Sequence, residues 1–281
     1  LVAERTRSLE EALREKEAQR ERAERASALA EEASRMKSVF LANTSHELRT
    51  PLTALAGYLA LARDEKDPEK QAHFIKRATQ AAARLTDLTE DLLQVARLEE
   101  NRVPLVLRPV KPADVVRTAV EELRPRIEQK DITFRYEELT PDALIKADDT
   151  RLQQVVSNLV DNAVKYTPDG GHVEVTVKCN PRNVAITVRD TGVGIDPANL
   201  QRIFDKFFRE ENELSVKAGG TGLGLFITKE LVERLGGHLS VTGRRNRGTV
   251  AIIRFPRFYA TGREPGRDRS KPWSVRQRAA A

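Results

Sequence analysis

His46, Glu47 and Thr50 put an imidazole, a carboxylate and a hydroxyl within five residues, inside a leucine-rich helical pattern that needs none of them. A neutral imidazole can act as a nucleophile, and a neighbouring carboxylate can orient it or take its second proton. Thr50 lies one helical turn beyond His46 on the same face. Pro51 follows directly. It has no backbone N–H, so the carbonyl of Glu47 loses its helical partner and the helix is predicted to weaken and kink beside the histidine. Adjacent helical residues point apart, so a Glu47–His46 contact requires a particular rotamer or that local distortion.

Three further clusters suit a phosphate-bearing ligand. Asn158, Asn162 and Lys165 are spaced to share one face of a helix, and Tyr166 follows. Amide oxygens can ligate a hard cation that keeps most of its waters, and an ammonium suits phosphate. Asp190-Thr191-Gly192-Val193-Gly194 ends a strand pattern, where an ionised Asp can accept from an exocyclic amine and glycines let the backbone approach a flat ligand. Gly220, Thr221, Gly222, Leu223 and Gly224 lead into a helix whose first N–H groups can seat an anion. No Lys-Ser/Thr follows as in a P-loop, and no strand leads in directly as in a dinucleotide fold.

These groups must be positioned by two kinds of element. Residues 1–35 contain no Gly or Pro and are rich in Ala, Glu, Arg and Lys. They read as a solvated helix, with a weak seam at Leu9, Leu13, Leu29, Ala33, Met36 and Phe40 that suits a two-stranded coil. The helix is predicted to continue through Leu59 and to break at Asp64–Pro68, with Asp67 as N-cap and Pro68 as the first helical residue. Phe74, Ala78, Ala81, Leu85, Leu88, Leu92 and Val95 then make an unbroken heptad seam. Ile75, Ala82, Leu93 and Ala96 widen it beyond what one partner helix covers, which predicts a homodimeric four-helix bundle. After Pro104 the pattern becomes mixed: a strand at Leu105–Leu107, a helix to Gln129, strands at Ile132–Tyr136 and Leu144–Ala147, and a helix capped by Asp149. The hairpin His172–Cys179/Val184–Asp190 follows. A short capped helix at Asp196-Pro197 carries Ile203, Phe204, Phe207 and Phe208, and Glu210–Gly219 reads as a lid. Helix Thr221–Leu235 and the strands Leu239–Thr242 and Thr249–Phe255 close an α/β layer, a mixed sheet with helices on one face.

Composition narrows the class. The chain has 281 residues, 32% of them charged, and a net charge of +6. Residues 261–281 carry six basic side chains against two acidic ones, so most of the excess sits on a Gly/Pro/Arg-rich tail that also holds Trp273. A nucleic-acid groove needs that charge on a folded face, so no nucleic acid is expected. The one cysteine, Cys179, excludes an internal disulfide framework and reads as a strand thiol. No apolar run approaches the ~20 residues that cross a bilayer, and no secretory leader is expected. The chain starts at Leu1 in mid-helix pattern, which suggests a piece of a longer protein.

In this order, on helix, strand end and helix start, the clusters resemble the sensor histidine kinases of two-component signalling, across residues from about 36 to 256. Ser45–Pro51 is similar to that family's phosphoacceptor box and Asn158–Thr167 to its N box. Asp190–Ile195 and Gly220–Leu225 resemble its glycine boxes, and Ile203–Arg209 its phenylalanine box. The resemblance implies a multidomain α + α/β chain: a coiled-coil helix over 1–35, a dimerisation and phosphotransfer hairpin over 36–101, an ATP-binding α/β sandwich over 102–258 and a basic tail over 259–281. It implies ATP and Mg²⁺ as cofactors, with Asp190 reading the adenine amine, Asn162 holding Mg²⁺, and Asn158 and Lys165 on Mg²⁺ or phosphates. Tyr166 would flank the nucleotide, Gly192, Gly194, Gly220, Thr221, Gly222, Leu223 and Gly224 would form its glycine loops, and Arg209 would reach the γ-phosphate. His46 would be autophosphorylated and pass the phosphoryl group to an aspartate in a response-regulator receiver domain. Glu47 would act as orienter or base, and Thr50 in dephosphorylating that partner. A homodimer, an upstream sensor domain in the same polypeptide and a cytoplasmic location, with any membrane anchor upstream, are implied as well. The related gyrase-type ATPases carry Glu where Asn158 stands. An amide cannot take a proton from water, so ATP would be held for transfer rather than hydrolysed. A non-enzymatic dimer using ATP as a conformational latch would differ by leaving no acid-labile phosphate on His46.

Overall fold

In the computed structural model, residues 2–100, 102–140, 142–210 and 220–259 are described, with most side chains before Ser38 left aside. The weak seam at Leu9–Met36, the lid over 211–219 and the tail from residue 260 therefore lie outside the described residues. The chain divides into two compact units, Leu1–Thr89 and Glu90–Ala281.

The first unit is a helical hairpin built from α1 (Val2–Asp64) and most of α2 (Pro68–Glu99). The turn forms as the sequence predicts. The Asp67 carboxylate accepts the N–H of Glu69 at 2.9 Å, and Pro68 starts the helix. The Gln71 side chain donates across the turn to the carbonyl of Ala62 at 2.9 Å, satisfying one of the last acceptors of α1. Within this unit the seam positions Ala78, Ala81 and Leu88 are buried, while Leu52, Leu59 and Ile75 stay at least half exposed. Helix α1 is not broken at Pro51.

The second unit holds β1 (Arg108–Val110), α3 (Pro112–Glu128), β2 (Thr133–Glu138), β3 (Ile145–Ala147), α4 (Asp149–Tyr166), β4 (His172–Cys179) and β5 (Asn183–Asp190). Short 3₁₀ turns at Pro197–Asn199 and Arg202–Phe204 precede α5 (Gly224–Arg234), β6 (His238–Gly243) and β7 (Thr249–Pro256). The main sheet has the order β2-β4-β5-β7-β6, with β2 parallel to β4 and all other pairs antiparallel. Register aligns apolar residues across one face in two rows: Val175 opposite Val188, and Val177 opposite Ile186, which is itself opposite Ile253. These side chains are buried with Leu152, Val155, Val156 and Leu159 of α4, each adding roughly 1.5–3 kcal/mol of hydrophobic stabilisation. The alternate residues Glu174 and Lys178 face the other side and are more exposed.

Three local expectations shift. The strand expected at Leu105–Leu107 forms at Arg108–Val110, where it pairs with β3 in a separate two-stranded sheet. The N–H of Val106 is instead taken by a carboxylate oxygen of Asp148 at 2.9 Å. The cap of α4 is Asp148, not Asp149: its other oxygen accepts the N–H of Arg151 at 3.1 Å. Helix α5 starts at Gly224 rather than Thr221, because Gly220 and Gly222 adopt left-handed φ of 132° and 71° that a right-handed helix cannot use. Asp148→Ala removes both bonds of a buried carboxylate, at a cost of about 2 kcal/mol. Hydrogen exchange at the α4 amides is expected to accelerate accordingly, and unchanged exchange would contradict this double role.

Candidate functional site

On α1, His46 is exposed and Glu47 half-buried, with imidazole Nδ1 3.5 Å from a Glu47 carboxylate oxygen. The contact that neighbouring helical positions do not guarantee is thus made, and it uses one ring nitrogen, leaving Nε2 on the other side of the ring. The Thr50 hydroxyl donates to the carbonyl of His46 at 3.3 Å, as those of Thr44 and Ser45 do to carbonyls one turn back. It sits one turn from the imidazole, engaged with backbone.

In the second unit, α4, the end of β5 and the start of α5 bring the other clusters together. Asp190 is 8% exposed. One carboxylate oxygen accepts the N–H groups of Gly192 and Thr249 at 2.8 and 3.1 Å, and the Thr249 hydroxyl also bonds to the carboxylate. Burial pushes this carboxyl above its ordinary range, and those hydrogen bonds oppose the shift without cancelling it. The following loop packs backbone on backbone. Val193 donates to the carbonyl of Tyr166 at 3.1 Å, and a Cβ on Gly194 (φ 68°) would fall on the carbonyl of Arg244. Only glycine fits there. A Cβ on Gly192 would likewise fall on the carbonyl of Tyr166, a half-buried residue.

Asn158 and Asn162 are both partly exposed on α4. The Asn158 amide nitrogen donates to the hydroxyl of Thr228 at 2.6 Å. A Cβ on Gly224 would lie 2.7 Å from the Asn158 amide oxygen, so the glycine start of α5 rests against the N-box amide. Lys165 pairs with Asp161 at 2.7 Å, and Asp161 also accepts from Arg126 at 2.7 Å. A phosphate approaching Lys165 would have to compete with Asp161 for this ammonium. Lys130 donates to the carbonyls of Val164 and Lys165, closing the end of α4, and burial lowers its pKa.

The glycine loop and the phenylalanine segment touch. Phe207, itself at φ 64°, donates its N–H to the carbonyl of Gly222 at 3.0 Å. Leu223 is fully buried and anchors the loop, Gly220 is half-exposed, and Arg209 is half-buried one residue before the described segment ends at Glu210. The Thr221 hydroxyl meets the Asp91 carboxylate at 2.6 Å. Asp91 belongs to the last turns of α2, which pack within this unit: Gln94 bonds to Gln154 at 2.7 Å, Glu99 pairs with Lys206, and Arg234 donates to the carbonyl of Leu98. The hairpin read from sequence as 36–101 thus gives its last helical turns to the second unit.

Thr228, Thr249 and Asp91 are site neighbours that the motifs alone did not mark. Thr228 had a signal, since it follows Gly224 by one helical turn. Thr249 had none, because only the pairing of β5 with β7 brings it to Asp190.

Among the described residues there is no cluster of three or more His, Cys, Asp or Glu side chains. A caged metal is thus not built from them. The donor set instead fits a cation held by amide oxygens, substrate phosphates and water. With its nitrogen on Thr228, Asn158 has its oxygen to offer. No helix among the described residues is long and apolar enough to cross a membrane.

Residues 36–101 match the His Kinase A (phospho-acceptor) domain, and residues 147–258 the histidine kinase-, DNA gyrase B- and HSP90-like ATPase. The chain is 34% identical over 233 residues to the sensor histidine kinase RcsC of Salmonella typhimurium, covering 82% of this chain and 24% of that protein. It thus spans about a quarter of the length of the curated relatives it matches. Among solved structures, full-length ShkA in complex with AMPPNP aligns over 78% of this chain and 46% of that one, at 32% identity and a TM-score of 0.59. Histidine kinase ThkA in complex with the response regulator protein TrrA aligns over 78% and 61%, at 26% identity and a TM-score of 0.64.

Proposed function

Because this chain belongs to the sensor histidine kinases of two-component signalling, we propose that it autophosphorylates His46 from ATP and passes the phosphoryl group to an aspartate of a response-regulator receiver domain. The observation that carries the ATP reading is Asp190: a buried carboxylate kept from full relief by its neighbours, with capacity left for an exocyclic amine. That is the acceptor adenine requires.

In this reading Asp190 selects adenine and Tyr166 flanks the nucleotide. Gly192 and Gly194 shape the turn beneath it. Gly220, Thr221, Gly222, Leu223 and Gly224 line the phosphates, with the start of α5 supplying N–H groups. Lys165 leaves Asp161 for phosphate, and Arg209 approaches the γ-phosphate. Asn158 and Asn162 would hold Mg²⁺, which when bound offsets the charge on the phosphates. His46 Nε2 attacks the γ-phosphorus in line. A P–N bond forms as the bond to the β,γ-bridging oxygen breaks, and ADP leaves with that electron pair. The imidazolium then loses its Nδ1 proton toward Glu47, whose carboxylate faces that nitrogen. Thr50 would position a water that takes the phosphoryl group from the receiver aspartate, dephosphorylating that partner. The exposed Leu52, Leu59 and Ile75 favour a homodimer, in which a second hairpin covers them.

The test is to incubate the chain with γ-labelled ATP and Mg²⁺. The expected label is stable to alkali, lost in acid and chased onto a receiver domain. Nucleotide binding without any label would refute the kinase reading in favour of a conformational latch.

A further inference from the structure

We propose that Thr228 is a positioning residue that fixes the amide of Asn158 with its oxygen end presented to the cation-bound nucleotide. This rests on the reading above that the Asn pair meets Mg²⁺ and phosphates. An Asn side chain has one acceptor end and one donor end, and its last torsion is broad, so an unrestrained amide turns over readily. Only the oxygen end helps a cation, and the NH₂ end repels it.

Two features select the oxygen end. Thr228 is 1% exposed, and its hydroxyl takes the Asn158 NH₂ at 2.6 Å, which spends the donor on a partner shielded from solvent. The amide oxygen meanwhile is the atom nearest the Cβ-less Gly224, at the first residue of α5. The electropositive end of a helix favours oxygen over NH₂ at that place. Gly224 and Thr228 stand one turn apart on α5, so a single helical face accepts both ends of the amide. Valine has the shape of threonine without the acceptor, so Thr228→Val leaves the NH₂ without its buried partner and able to turn toward the cation.

The experiment measures equilibrium binding of ADP to the full chain by calorimetry, with Mg²⁺ and with EDTA, and takes the ratio of affinities as the gain from the cation. In Thr228→Val the gain is expected to fall about tenfold, with ADP affinity in EDTA unchanged. Thr228→Ser is expected to restore the gain. If valine abolishes binding in EDTA as well, the site has been disturbed and Thr228→Ala replaces it under the same criterion. In an Asn158→Ala background the valine substitution is expected to change nothing more. A full gain in the hydroxyl-free variant, an equal loss in Thr228→Ser, or a further loss without Asn158 overturns the proposal. A wild-type chain that binds no ADP, or binds it equally in EDTA, refutes the nucleotide reading itself, whatever the variants do.

Discussion

His46→Gln is expected to abolish ATP-dependent labelling of the chain while leaving nucleotide affinity unchanged. Glutamine keeps a polar, helix-compatible side chain at an exposed position of α1, so the hairpin is not disturbed. What it removes is the ring nitrogen that forms the P–N bond, and with no nucleophile the covalent product cannot exist. The nucleotide groups named above all lie between Asn158 and Gly224, so binding should not follow the loss of label. Label persisting on the variant, or surviving acid, would assign the phosphoryl group to another residue and refute the proposed chemistry.

Asp190→Asn should separate binding from stability. One oxygen of Asp190 already accepts two backbone N–H groups. Asparagine must keep its only oxygen there, so its NH₂ replaces the second carboxylate oxygen and meets the adenine amine donor to donor. A mismatched buried donor costs about 1–3 kcal/mol, which lowers nucleotide affinity roughly 5- to 150-fold. The fold itself should not suffer. Burial raises the Asp190 pKa above its unfolded value, so its contribution to stability is fully present in acid and is lost as pH rises through the folded pKa. Near neutral pH the ionised group is a net cost that asparagine removes. The nucleotide-free variant is therefore expected to melt no lower than the parent at neutral pH, with any advantage shrinking toward acid. Unchanged ADP affinity in calorimetry would refute Asp190 as the adenine reader.

Where the controlling interaction was local, the residues announced it. The 4-3 spacing of Ala78, Ala81 and Leu88 produced a helix with those positions buried, and Asp67-Pro68 formed the cap and first turn that their chemistry favours. The alternating valines of β4 and β5 paired as a hairpin in one register. The groups of the proposed nucleotide site were legible because amides, carboxylate and glycines each sit in a short segment with its own geometry. Asp148 replaced Asp149 as cap because Val106, 42 residues earlier in the chain, engages its second oxygen. Lys165 turned to Asp161 within a network completed by Arg126 from another helix.

The sequence by itself therefore determined the family, the two kinds of unit and the identity of most groups of the proposed site. Helical and strand periodicity and turn chemistry act over a few residues, and a motif carries its own spacing. Only the tertiary structure decided what those groups face. Asn158 is oriented by Thr228 across 70 residues, Asp190 is held by Thr249 across 59, and Thr221 meets Asp91 across 130. Each of these contacts is a hydrogen-bonded meeting of groups that packing brings together, and no local pattern records where a distant donor will arrive.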